Sequence, residues 1–123
     1  MEKNICTESK KLNPYLKTYN LLKLLGLKTS HNGTKFIIKA VLIILKQDND
    51  FIIFEDVYSI ISQELRNISQ SQVKYCIKYA IDNRNEKKSI TNFEKIFGYE
   101  YAQDVFTNKE LIEEIVRIIQ CDL

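Results

Sequence analysis

Phe36, Ile37, Ala40, Val41, Ile44 and Leu45 recur at i, i+1, i+4, i+5, i+8 and i+9, the spacing of one face of a helix. A strand cannot use this pattern, because its side chains alternate between faces at every residue. The stripe is strongly apolar, so the helix that carries it belongs at the centre of a core. Ile53, Val57, Ile60, Ile61 and Leu65 mark a further helix, and Val73, Cys76, Ile77, Ala80 and Ile81 another. Leu111, Ile112, Ile115, Val116, Ile118 and Ile119 repeat the theme near the C-terminus. Three glycines and one proline in 123 residues leave little material for hairpin turns. The expected class is all-α, with six helices.

Punctuation residues set the boundaries. Asn13 is suited to cap a first helix, with Pro14 at the first helical position, where its missing N–H costs nothing. That helix carries Leu16, Tyr19 and Leu22 to Leu25 and stops at Gly26. Leu27 to Gly33 reads as a polar loop, and Gln47 to Asp50 breaks the central pattern. Ser69 followed by Gln72 forms a capping box that opens a helix running to Asp82. Asn83 to Lys88 is a polar loop before a short helix with Ile90, Phe93, Ile96 and Phe97, closed by Gly98. Thr107-Asn108-Lys109-Glu110 is a second capping box. Residues 1–12 are expected to be a flexible tail and 13–123 a single helical domain, since no repeat or Gly/Ser linker divides them.

Several function classes receive no support. Cys6, Cys76 and Cys121 are odd in number and lack CxxC or Cys/His spacing, so neither a disulfide framework nor a metal site is expected. Apolar runs such as Ala40 to Leu45 are too short to span a bilayer, and the mixed-charge N-terminus is no signal peptide. A cytoplasmic protein without cofactor or membrane partner is the expectation. His31 is the only histidine, no cysteine or serine has a credible base near it in sequence, and His31 reads as a loop or cap residue. The adjacent pairs Glu113/Glu114 and Glu55/Asp56 diverge around a helix and read as solvated faces. No enzymatic activity is expected.

Charge is unevenly distributed. Residues 12–47 carry six lysines and no acid, 48–65 five acids and no base, and 66–88 a net +4. Two basic segments of this kind can face phosphates. The helix over 69–82 lies in the second of them, and the turn before it is short, so it forms a helix-turn-helix at about 53–82. At 100° per residue, Val73, Ile77, Ala80 and Ile81 gather on one side. Ser71, Lys74, Tyr75, Lys78 and Asp82 point the opposite way, with Gln72 and Tyr79 on a flank. A major-groove helix needs such groups to meet base edges. Ser71, Gln72, Lys74, Tyr75, Lys78 and Tyr79 are therefore the expected base-reading face for double-stranded DNA. Lys35, Arg66, Ser69, Lys87 and Lys88 are candidates for phosphate contacts.

From Leu25 onward the chain also resembles the C-terminal effector domain of stage zero sporulation protein A, a sporulation response regulator. Leu25-Gly26-Leu27 with His31 and Gly33 resembles the family's Gly-(Ile/Val)-Pro-Ala-His-x-Lys-Gly loop. Val57-Tyr58-Ser59-Ile60-Ile61 resembles its Leu-Tyr-Pro-x-Ile, and the run from Ser71 to Ile81 its recognition helix, Ser-Arg-Val-Glu-Arg-Ala-Ile-Arg-His-Ala-Ile. Ile96-Phe97-Gly98-Tyr99 and Thr107-Asn108 resemble the Leu-Phe-Gly-Tyr and Thr-Asn that follow. The resemblance implies a six-helix effector fold of the winged-helix-like superfamily and transcriptional control. It also implies homodimers or tandem dimers on DNA through the last helix, for which Leu111, Ile115 and Ile119 are the candidate residues. RNA polymerase or a related regulator is a further expected partner.

The departures concentrate on the outer face. Gln72 and Tyr75 stand where the family has Arg, Lys74 replaces Glu, Lys78 replaces Arg, and Tyr79 replaces His. Lysine cannot reproduce the bidentate guanine contact of arginine, so a changed target sequence is expected. The turn before this helix is one residue longer, and the stretch Glu100 to Phe106 is shorter and acidic. The family's receiver domain has no counterpart in the thirteen residues before the first helix. The competing expectation is a protein-interaction module that keeps the fold and pairs with a related regulator through the C-terminal helix.

Overall fold

The computed structural model describes residues 13–47 and 52–122, so the expected N-terminal tail and the acidic break at 48–50 lie outside the described residues. The described residues form six α-helices and one short 3-10 turn, with no strand. They are α1 (Pro14–Leu24), α2 (Asn32–Lys46), α3 (Phe54–Leu65), α4 (Gln70–Asp82), α5 (Glu86–Phe97) and α6 (Asn108–Asp122). The 3-10 turn, Gln103–Val105, precedes α6.

The central helix is α2. It packs against α1, α3, α4 and α6, most extensively against α4. Phe36, Ile37, Ile38, Ala40, Val41 and Ile44 are all buried, which is the fate their spacing dictates. At about 25 cal/mol per Å² of apolar area removed from water, this helix contributes a large share of the hydrophobic stabilisation. Phe93 and Phe97 of α5 are buried beside Phe106, and Tyr99 and Tyr101 pack edge-on to Phe93 at 5.5 and 5.2 Å.

Caps form where the sequence places them. Asn13 accepts from the Leu16 N–H at 3.0 Å, and Gly26 follows the end of α1 with a φ of +96°. That glycine is required twice over. Its φ suits no side chain, and a Cβ there would collide with the Asn85 carbonyl group. Ser69 and Gln72 form the reciprocal capping box at 3.1 and 2.8 Å. Thr107 Oγ1 accepts from the Glu110 N–H at 3.2 Å.

Three expectations are corrected. Asn32 and Gly33 belong to α2 and not to the preceding loop, because the first turn of α2 is pressed onto α4: a Cβ on Gly33 would overlap the Cys76 carbonyl oxygen. Lys87 and Lys88 lie in the first turn of α5, since Asn85 caps that helix through bonds from both of their N–H groups. Ile90 is more than half exposed, so the stripe of α5 is Ser89, Phe93 and Phe97 with Ile96 at its margin.

Candidate nucleic-acid interface

The turn between α3 and α4 sets the angle at which α4 is presented. Arg66, at the end of α3, takes a φ of +67° and a ψ of −32°, and the Asn67 N–H bonds back to the Leu65 carbonyl at 2.7 Å. This is a tight γ-turn in a conformation strained for a residue with a Cβ. The Ser62 hydroxyl bonds the Ile68 carbonyl at 2.5 Å and braces the turn.

The inner stripe of α4, Val73, Ile77, Ala80 and Ile81, is buried as expected. Asn108 at the start of α6 donates to the Lys74 carbonyl at 3.0 Å and ties α4 to the last helix. The outer face is open: Ser71, Gln72, Tyr75, Lys78 and Tyr79 are exposed, with Tyr75 at 66% and Tyr79 at 47%. Lys74 is half-buried. Its ammonium lies 3.3 Å from Glu55 and 5.6 Å from the Tyr58 ring centre. Burial pushes the Tyr58 phenol above its ordinary pKa, only partly opposed by its bond with Asn108. Lys78 pairs with Asp82 at 3.1 Å, one turn along the helix. Both pairs are exposed and worth a fraction of a kcal/mol to about 1 kcal/mol, so either lysine can exchange its carboxylate for a phosphate.

Sequence reasoning missed what lies beside this face. His31 packs its ring 5.4 Å from Tyr79, and Tyr79 lies 6.3 Å from Tyr75. His31, Asn32, Gly33, Tyr75, Cys76 and Tyr79 line a cleft of about 240 Å³ between the start of α2 and α4. The signal was the His31 and Gly33 pair in one loop; its meaning depended on α2 crossing α4.

The candidate phosphate residues separate into groups. Arg66 and Ser69 sit in the turn at the N-terminal end of α4, and the Ser69 hydroxyl is engaged in capping. Lys88, beyond the C-terminal end, shares a hollow of about 370 Å³ with Lys23, Lys28 and Asn85. Lys87 is exposed in the same first turn of α5, and Lys35 is exposed on α2. Lys23 and Lys28 were not singled out in the sequence, since only the approach of Gly26 to Asn85 brings them to Lys88. Arg84 is withdrawn from solvent work. Its guanidinium stacks 3.8 Å from the Phe106 ring centre and bonds Ser89 at 2.8 Å and the Ile81 carbonyl at 2.9 Å.

The candidate dimer residues need correction. Leu111, Ile115 and Ile119 are all 0% exposed, packed into the core, so they have no surface to offer a second chain. Their i, i+4 spacing is that of a core stripe, which a dimer seam shares. Among the described residues no group of His, Cys, Asp and Glu side chains has the arrangement of a metal site, and no helix is long and apolar enough to cross a membrane.

The second helix of this helix-turn-helix buries one stripe and presents hydroxyl, amide, ammonium and phenol groups on the other, the arrangement a DNA-binding regulatory domain requires. The family model for the sporulation initiation factor Spo0A C terminal matches residues 18–119, and the chain belongs to that family. It is thereby a DNA-binding effector domain of the sporulation-regulator type. Neither a curated protein nor a solved structure is similar enough to the chain to count as a match.

Proposed function

We propose that the chain is a sequence-specific transcriptional regulator that seats α4 in the major groove of double-stranded DNA. The observation that carries this is the division of α4: its apolar stripe is wholly buried while Ser71, Gln72, Tyr75, Lys78 and Tyr79 stand open on the other side. In this reading Arg66 and Ser69 meet phosphates at one end of the helix. Lys88, joined by Lys23 and Lys28, meets them beyond the other. Phosphate contacts fix register, and the α4 face reads sequence. The replacement of arginines by Gln72, Tyr75 and Lys78 gives this face a preference of its own. The rival reading, a module that pairs with a related regulator through the C-terminal helix, has less support, since Leu111, Ile115 and Ile119 are buried.

Gel-shift titration with random duplex DNA at several salt concentrations tests the proposal. Binding is expected at low salt and should weaken linearly on a log–log plot as salt rises, each phosphate contact adding about 0.9 to the slope. Selection from the same pool should then enrich a defined sequence. Absence of binding at low salt would refute the reading.

A further inference from the structure

We infer that Tyr75 and Tyr79 make this chain a reader of thymine methyl groups, an inference that rests on the placement of α4 in the major groove. The outer face of α4 has few groups free to read bases. Lys74 is drawn toward Glu55 and lies over Tyr58, and Lys78 is paired with Asp82. When they exchange these partners for DNA, a flexible ammonium meets phosphates as a point charge and carries little sequence information. The carbonyl oxygen of Gln72 is occupied by the Ser69 N–H, which leaves its amide N–H groups as donors. With these and Ser71 stand Tyr75 and Tyr79, 66% and 47% exposed, the large apolar surfaces of this face.

Two large rings held open to solvent on a helix otherwise polar outside are unusual company for lysines. Tyr79 lies between Tyr75 and His31, with ring centres 6.3 and 5.4 Å away, contacts that lower the side-chain entropy it would lose on binding. Beside them the cleft of about 240 Å³ is walled by Gly33, Cys76 and the two tyrosine rings. It has ample room for a methyl group. In the major groove the only apolar feature a base pair presents is the C5-methyl group of thymine. An apolar platform beside a recess that admits a methyl group therefore favours T at the steps facing Tyr75 and Tyr79.

The test replaces thymidine by deoxyuridine, which removes that methyl and nothing else, in the duplex enriched from a random pool. Each contacted methyl lost is expected to weaken binding about fourfold, the worth of one buried carbon. Tyr75→Ala and Tyr79→Ala should bind the T and U duplexes nearly equally, whereas Tyr75→Phe, which keeps the ring, should still distinguish them. Thermal melts of the variants verify that these exposed substitutions leave the fold intact. Equal affinity of the unmodified chain for T and U duplexes would overturn this inference alone, and so would loss of discrimination in Tyr75→Phe. Failure to bind any duplex at low salt would instead overturn the placement of α4, and the inference with it.

Discussion

The helices α4 and α6 are built alike inside and differently outside. Each opens on a hydroxyl cap, Ser69 or Thr107, and each buries a continuous apolar stripe. Outside, α4 exposes Tyr75 and Tyr79, whereas α6 has none of the large exposed apolar side chains. The exposed positions of α6 include Lys109, Glu110, Arg117 and Gln120. Arg117 is bound to Glu114 at 2.9 Å and reaches the Phe97 carbonyl at 3.4 Å. Its guanidinium is held more firmly protonated than usual, chiefly by that carboxylate. The guanidinium of Arg117 is thus spent within the molecule, whereas the rings of Tyr75 and Tyr79 on α4 are left open. An amphipathic stripe marks what a helix packs against; only the opposite face indicates what it recognises.

The inner equivalence breaks most visibly under a buried charge. Ile77→Asp in α4 and Ile115→Asp in α6 should both unfold the domain, each costing more than about 4 kcal/mol. Loss of the cooperative melt by circular dichroism is the expected readout, and a folded Ile115→Asp protein would break the comparison. Next in size is Gly33→Ala, which drives a methyl into the Cys76 carbonyl and should cost about 1–3 kcal/mol by prising α2 from α4. Its melting temperature should fall by several degrees or more. An unchanged melt would show that α2 and α4 can slide apart cheaply.

The outer difference is sharpened by charge reversal. Lys78→Glu on α4 should weaken DNA binding about tenfold and lessen the salt slope, with stability changed by less than about 0.5 kcal/mol. Arg117→Glu on α6 should leave DNA affinity nearly unchanged, and equal losses from the two variants would erase the distinction. The smallest effect concerns pH. The Tyr58 pKa is raised in the fold from the ordinary value of 10.0, chiefly by burial. A raised pKa contributes stability that is full below the unfolded value and is lost as pH rises through the folded one. Stability should therefore decline above about pH 10, and Tyr58→Phe should shallow that decline in denaturant melts.

Much of this organisation was legible in the residues. The stripes of α2, α4 and α6, that of α3 from Val57 onward, the caps at Asn13 and Ser69 and the stop at Gly26 follow from local rules that need no partner; Ile53, expected to open the α3 stripe, instead precedes that helix and is 47% exposed. The helix starts at Asn32 and Glu86 were not legible. Polar composition there suggested loops, and contact with α4 and capping by Asn85 decided otherwise. On the outer face, Ser71, Gln72, Tyr75, Lys78 and Tyr79 could be named from periodicity, as could the carboxylate pairing of Lys78, which is one helical turn away. The pairing of Lys74 with Glu55 could not, because those residues lie on different helices.

Residue order alone shows which segments form helices, where most of those helices begin and end, and that one side of α4 is reserved for something other than packing. Periodicity and capping act within a turn or two of chain, so they can be read locally. That Leu111, Ile115 and Ile119 are buried in the core follows from how the helices pack together, since a core stripe and a dimer seam share one spacing. The same packing also brought His31 against Tyr79, and Lys23 and Lys28 to Lys88, through close approaches at Gly33 and Gly26 where no side chain fits. Such juxtapositions depend on how whole helices cross, and the crossing is set by the summed packing of many residues that no single segment contains.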